Sequence, residues 1–266
     1  AERLAEDEDT EEDLLLLLAP GSSLGGARPK ASVREADGGL AIAKFPHKND
    51  EFPTNKWEAA ALTLAAGAGI PTPDWRLENI AGKDVTILRR FDRDGDKRIP
   101  FLSAMSMIGA KDNEEHSYLE IADALRQYGA APKNDRAALW RRIVFNILIS
   151  NTDDHLRNHA FLYTGDAGWR LSPAYDLNPV PVDIKPRVLS TQIDLDDGTC
   201  SLELARSVAG EFGLNKKDAQ AIIAEVGRAV IRWRETAQNL GLKAGQIDRM
   251  ASAFEHNDLE DAVRHS

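Results

Sequence analysis

The sequence predicts an α+β chain in two lobes, a small β-rich lobe followed by a larger, all-helical one. Three observations predict it. Strand-like runs crowd into the early chain at 31–35, 39–45, 75–77 and 84–89, with one helical stretch among them. From Leu102 onward, apolar residues recur mainly at helical spacing. Between the two regimes, Thr86 to Arg93 runs into the polar turn Asp94-Gly95-Asp96, a natural hinge. The expected division is an acidic segment at 1–20, the small lobe at 21–93 and the larger lobe at 94–266.

Composition bounds the function. The chain has 266 residues, 42% hydrophobic and 29% charged, enough for a sizeable core. A net charge of -10 argues against nucleic acid as a direct partner. The single cysteine, Cys200, excludes an internal disulfide and a cysteine-rich metal site, and fits a reducing cytoplasm. No apolar run is long enough to span a membrane; Leu14 to Leu18 is too short, and acids precede it where a secretion signal is basic.

In chain order, residues 1–13 are dominated by acids and read as a solvated face or terminus. The glycine- and serine-rich stretch Gly21 to Lys30 reads either as a phosphate cradle or as a flexible turn. It lacks the spacing of a Walker A loop. The strand Gly39 to Phe45 carries Lys44 near its end. A helix is expected over 55–69, with Pro53 before it and Glu58 in its first turn. The spacing permits a Lys44–Glu58 ion pair of the kind that fixes a lysine on nucleotide phosphates. It equally permits an acid favoured near a helix N-terminus. Asp92 to Asp96 has some character of a calcium loop but not its full spacing or its terminal Glu.

Helices are expected over 117–128, 135–150 with Asp135 as N-cap, 201–212, 216–240 and 244–255. Residues 187–195 read as an extended stretch. The apolar segment Ile143 to Ile149 ends abruptly in Asn151-Thr152-Asp153-Asp154-His155-Leu156-Arg157-Asn158. A hairpin comes next, Ala160 to Tyr163 and Trp169 to Leu171, and then Ser172-Pro173-Ala174-Tyr175-Asp176. A rigid apolar helix presenting acids and amides reads as one wall of a cleft. An Asp, an Asn shortly after it, and a second Asp beyond a hairpin is the order protein kinases use.

Joined together, these pieces resemble the HipA-like serine/threonine kinases, the toxin half of bacterial toxin–antitoxin pairs. The resemblance rests on Asn151 to Asn158, on Leu171 to Asp176 and on Ser23-Leu24-Gly25-Gly26-Ala27-Arg28-Pro29-Lys30. Ile42 to Phe45, Trp57-Glu58 and Arg90 to Arg93 support it in the right order. It implies a two-lobed, protein-kinase-like fold that lacks most of the family's N-terminal subdomain. It also implies ATP and Mg²⁺ as cofactors, with Asp153 as catalytic base and Asn158 and Asp176 as metal ligands. Lys44 is then expected on the phosphates, Phe91 at the hinge, and His155 and Tyr175 beside the site. Ser23, Gly25, Gly26 and Ala27 would form the phosphate loop, with Ser23 the autophosphorylated, inhibitory position. The implied partners are a protein substrate and a small DNA-binding antitoxin. Asp154 stands where the family commonly has small residues, so a second acid is expected beside the base, close enough to raise a pKa or attract a cation. The rival readings are a catalytically silent nucleotide-binding regulator and a small-molecule kinase of similar fold.

Overall fold

The first sheet is built from two hairpins and lies across one helix. In the computed structural model, which describes residues 28–95 and 97–264, β1 (Lys30–Arg34) turns back on β2 (Leu40–Lys44). Their register pairs Lys30 with Lys44 and Arg34 with Leu40. A second hairpin joins β3 (Trp75–Ile80) to β4 (Lys83–Arg89), and the antiparallel order is β1-β2-β4-β3. Alternation divides the faces. Ala31, Ala41, Ala43, Val85 and Ile87 form a small apolar cluster with Phe45. Lys44, Thr86 and Leu88 belong to the opposite face, where Thr86 Oγ1 donates to the Asn55 carbonyl of α1 (Thr54–Gly67).

Helix α1 is rich in alanine and buried on most sides, because it lies between the sheet and the helical lobe. Trp57 meets Trp233 and Phe254, with ring centroids 6.3 and 6.1 Å away. The helix starts at Thr54, so Glu58, expected in the first turn, lies just beyond it and is buried.

A short hairpin, β5 (Arg93–Asp94) and β6 (Lys97–Arg98), succeeds the hinge. The larger lobe is mainly helical, but it also carries a three-stranded sheet. In it β7 (Phe101–Ser103) pairs with β8 (Ala160–Tyr163), and β8 with β9 (Trp169–Leu171). An unexpected short helix, α2 (Ala104–Met107), comes next, and α3 (Tyr118–Tyr128) begins where Glu120 accepts the Ser117 N–H at 2.8 Å. The central helix is α4 (Pro132–Ile149), whose last three turns are almost wholly buried. It starts at a proline, pre-set for a helical first turn. Asp135 is therefore inside the helix and not its N-cap. Its carboxylate instead holds Arg170 at 2.8 and 3.0 Å and the Leu171 N–H at 3.1 Å.

The remaining helices are α5 (Leu202–Val208), α6 (Lys216–Val230), α7 (Trp233–Asn239), α8 (Ala244–Arg249), α9 (Ala251–Phe254) and α10 (Asn257–Arg264). Two differ from expectation by division and one is additional. The expected helix 216–240 breaks at Ile231-Arg232. The apolar period runs straight through Val226, Val230, Trp233 and Ala237, which hides the break. The bend turns Trp233 inward to stack on Phe254 at 4.6 Å with an interplanar angle of 4°. The 244–255 stretch also divides, and α10 is the additional helix. Residues 187–195 form isolated bridges, Val188 to Thr199 and Ser117 to Gln192, and no strand.

Candidate active site

Helix α4 ends at Ser150, whose left-handed backbone (φ 51°) turns the chain sharply out of the core. The loop from Asn151 to Asn158 is pinned by its own polar groups. The Asn151 amide donates to Asn146 Oδ1 at 3.1 Å and accepts the Asn178 N–H at 3.2 Å. His155 N–H and Asn158 Nδ2 both donate to the Asp153 carbonyl, at 3.0 and 3.2 Å. A tight turn over Leu156–Asn158 completes the loop.

The two adjacent acids point to opposite sides. The Asp153 side chain is 69% exposed at the surface of the loop. Asp154 is buried, and its Oδ2 receives the Tyr118 hydroxyl and the Asn146 amide (2.7 Å), with His159 Nε2 at 2.7 Å. Asp154 is therefore not a second acid beside Asp153 at the surface of the loop. Three donors satisfy it inside the protein, and it anchors the loop from behind. Arg142 lies in the same interior, donating to the Ser172 carbonyl, and burial pulls it down to about 10 against the field of Asp154.

Across the cleft, Lys44 joins the lobes. Its Nζ bonds Glu58 of α1 and donates to Asp176 Oδ1 at 3.0 Å. Burial alone would lower this lysine, but the two carboxylates hold it above its ordinary value, so it stays charged. Burial pushes Asp176 up, and Lys44, with smaller help from Lys30 and the Asn178 amide, outweighs it and holds the carboxyl at about 2. Asp176 is itself left-handed (φ 59°), a conformation that costs a non-glycine residue and persists only where the surroundings impose it.

Above Lys44 lies an apolar cavity of about 190 Å³, lined by Ile42, Pro73, Leu88, Phe91, Phe101 and Tyr175 among others. The Phe91 ring is 5.7 Å from Tyr175 and 6.2 Å from Phe101. The Tyr175 hydroxyl donates to the Arg157 carbonyl at 2.7 Å, tying the cavity wall to the Asp153 loop. His155 lines a different cavity, about 160 Å³, with His116, Arg157 and Ser190. A larger cavity, about 620 Å³, lies between α1, α6 and α7 and contains none of these residues.

The structure thus brings Lys44, Glu58, Phe91, Tyr175 and Asp176 to one cleft and binds Asn158 to Asp153. His155 lines the cavity of about 160 Å³ and is not among the residues lining the apolar one. Ser23, Gly25, Gly26 and Ala27 lie outside the described residues. Sequence reasoning missed Lys185, whose Nζ lies 3.5 Å from Asp153 Oδ1, and the Tyr118, Asn146 and His159 support of Asp154. None of these belongs to a local motif.

Comparison with known proteins agrees with this geometry. Residues 22–233 match the family described as HipA-like C-terminal domain. A Sinorhizobium fredii protein with a provisional kinase name, Y4mE, is 24% identical over 267 residues, covering 87% of this chain and 61% of its own length. A Haemophilus influenzae protein, also provisionally named a kinase, is 26% identical over 198 residues, covering 65% of this chain and 56% of its own. The chain therefore spans about three fifths of these relatives. Among solved structures, HipA of Shewanella oneidensis MR-1, in complex with HipB and operator DNA, superposes with a TM-score of 0.72 at 16% identity over 97% of this chain and 70% of that one. The Helicobacter pylori proinflammatory kinase CtkA gives 0.68 at 16% identity over 93% of this chain and 95% of that one. These two likenesses show the fold, a two-lobed kinase-like α+β architecture. By its matched span, the chain belongs to the HipA-like C-terminal domain family.

Proposed function

We propose that this chain is the catalytic part of a serine/threonine protein kinase that transfers the γ-phosphoryl group of Mg-ATP to a protein hydroxyl. The observation that carries the reading is the Lys44 bridge between Glu58 and Asp176 beneath an apolar cavity walled by Phe91 and Tyr175. A flat apolar slot suits a base, and a fixed cation at its edge suits phosphates. Phe91 and Tyr175 would hold the adenine, Lys44 the phosphates, and Asp153 would accept the proton of the acceptor hydroxyl.

Magnesium fits the donors present. Asn158 turns its amide nitrogen to the Asp153 carbonyl, which leaves Oδ1 without a bond among the described residues; Asp176 Oδ2 is likewise free of them. Among the described residues, no three His, Cys, Asp or Glu cluster as a metal cage. One Asn and one Asp oxygen suit a hard cation that keeps waters and shares phosphate oxygens. Held there by Asn158 and Asp176, Mg²⁺ would neutralise charge on the phosphates.

Family membership supports two further parts of the reading. Ser23 is the proposed autophosphorylation position, and a small DNA-binding antitoxin, as HipB is to the Shewanella HipA, is the proposed partner. The test is incubation with Mg-ATP labelled at the γ position and host lysate, with mass spectrometry as the readout. Wild type should label protein serine or threonine, and Asp153→Asn should bind ATP but label nothing. Undiminished transfer by Asp153→Asn overturns the assignment of the base. Label found only in small molecules overturns the protein substrate.

A further inference from the structure

We propose that Lys185 is the positioning residue of the candidate base, holding the Asp153 carboxylate at the cleft and keeping a positive charge beside it. The inference rests on the kinase reading above and adds a residue that no motif of the sequence supplies.

Lys185 sits in a turn between two prolines. Ile184 and Lys185 both donate their N–H groups to the Pro181 carbonyl, at 3.0 and 3.2 Å, and Pro186 comes next. From that turn the ammonium reaches three oxygens of the Asp153 region. It donates to the Thr152 carbonyl at 3.1 Å and to Ser190 Oγ at 3.4 Å, and lies 3.5 Å from Asp153 Oδ1. No other cation pairs with Asp153 among the described residues.

The turn is also tied to the loop by the residues after it. Ser190 donates to the Thr152 carbonyl through its N–H (3.1 Å) and its hydroxyl (2.9 Å). Thr191 does the same to the Asp154 carbonyl, at 3.1 and 2.8 Å. The carbonyls of the two residues that flank Asp153, Thr152 and Asp154, are thus both held by the segment that carries Lys185. Any shift of that segment moves the base.

Stability does not account for this arrangement. The Lys185 and Asp153 side chains are 40% and 69% exposed, and an ion pair so open adds little to folding stability. A charge whose place beside the reacting group is set before the reaction can serve the chemistry without adding to folding stability. In the step itself, the acceptor O–H gives its proton to Asp153 and the acceptor oxygen bonds the γ-phosphorus. The bond from that phosphorus to the β,γ-bridging oxygen breaks, and the electron pair leaves on ADP. Lys185 keeps its three protons throughout.

The test compares Lys185→Met, Lys185→Arg and Lys185→Cys with wild type. Lys185→Met should lower kcat on the order of 10²-fold, with KM for ATP and the melting midpoint near wild type. Lys185→Arg should recover much of the loss. Lys185→Cys should be as slow as Lys185→Met and regain activity after 2-bromoethylamine, which forms an S–C bond with loss of bromide and a proton and rebuilds a lysine-like side chain. The native Cys200 should not compete, since it is buried and burial pushes its thiol up to about 12. Should Lys185→Met lose its fold, Lys185→Gln replaces it in the same comparison. A kcat within a few fold of wild type, or no recovery in the alkylated Lys185→Cys protein, overturns the proposal. A wild-type chain that binds ATP yet phosphorylates nothing overturns the kinase reading, and this assignment with it.

Discussion

Lys44 of the sheet and Asp176 of the helical lobe are bonded to each other at 3.0 Å, so one ion pair joins the two lobes across the cleft. Lys44 faces two carboxylates, and one of them is needed elsewhere if a metal enters. Arrival of a metal–nucleotide would draw Asp176 toward the metal and leave Lys44 to Glu58 and the phosphates. On that proposal the pairing would exchange partners, and no charge would be buried alone.

The first prediction concerns that pair. Lys44→Met should leave Glu58, 3% exposed, as a buried carboxylate without its cation. The expected loss is about 3–5 kcal/mol in urea unfolding, along with nucleotide binding. The double variant Lys44→Met/Glu58→Leu should recover most of the stability and none of the binding. Equal instability of the single and double variants would count against the buried-charge explanation.

Asp153 and Asp154 should separate cleanly. Asp153→Asn should unfold within about 0.5 kcal/mol of wild type, since its side chain is exposed. Asp154→Ala should cost about 3 kcal/mol or more, because it removes the acceptor of the Tyr118 hydroxyl and of His159 Nε2 and one acceptor of the Asn146 amide. Chemical denaturation of both variants checks this, and similar midpoints would contradict it.

Stability should fall as pH drops below about 6.5. His256 lies before α10 with Nε2 3.2 Å from the Leu148 carbonyl, while Nδ1 accepts the Leu259 N–H at 3.3 Å. The neutral ring satisfies both partners, and a second proton would sit where Nδ1 accepts. Burial, with Arg187 nearby, lowers the group from 6.5 to about 4. The unfolded chain therefore takes up the proton first. The contribution is complete above pH 6.5 and lost progressively down to about 4, amounting to about 3 kcal/mol at 1.36 kcal/mol per unit. His256→Gln should flatten that part of the pH–stability curve; an unchanged slope would refute the assignment.

Gly227→Ala should destabilise the protein although alanine is the better helix former. A methyl there would lie 2.8 Å from the Ala262 side chain and 3.1 and 3.2 Å from its backbone, where α6 meets α10. The expected cost of overpacking is about 1–3 kcal/mol, against a propensity gain of about 1 kcal/mol. Thermal melting decides the sign.

Much of this is legible in the sequence. The alternation in β2 and β4, the apolar period of α4 and the hairpin of β8 and β9 each arise from local spacing. The gathering of Lys44, Phe91 and Asp176 lies in no local spacing, since Lys44 and Asp176 are 132 residues apart; it follows from the resemblance to HipA-like kinases, whose motifs stand in the same order. The illegible part depends on contacts between distant segments. Asp153 and Asp154 are chemically identical neighbours, and only the groups waiting in the interior, Tyr118, Asn146 and His159, decide which one turns inward. Lys185 carries no local signal, since its role depends on a turn packing against a loop more than 30 residues before it. The break at Ile231-Arg232 is hidden because the apolar period continues through it.

The exposure of Asp153 has an evolutionary consequence. With Asp153 as the proposed base, a lineage of this chain would lose its chemistry through one substitution at that position and keep its architecture, since the interior rests on Asp154 and not on its neighbour. Pseudoenzymes should therefore arise readily from this scaffold, persisting as folded bodies whose second acid is intact.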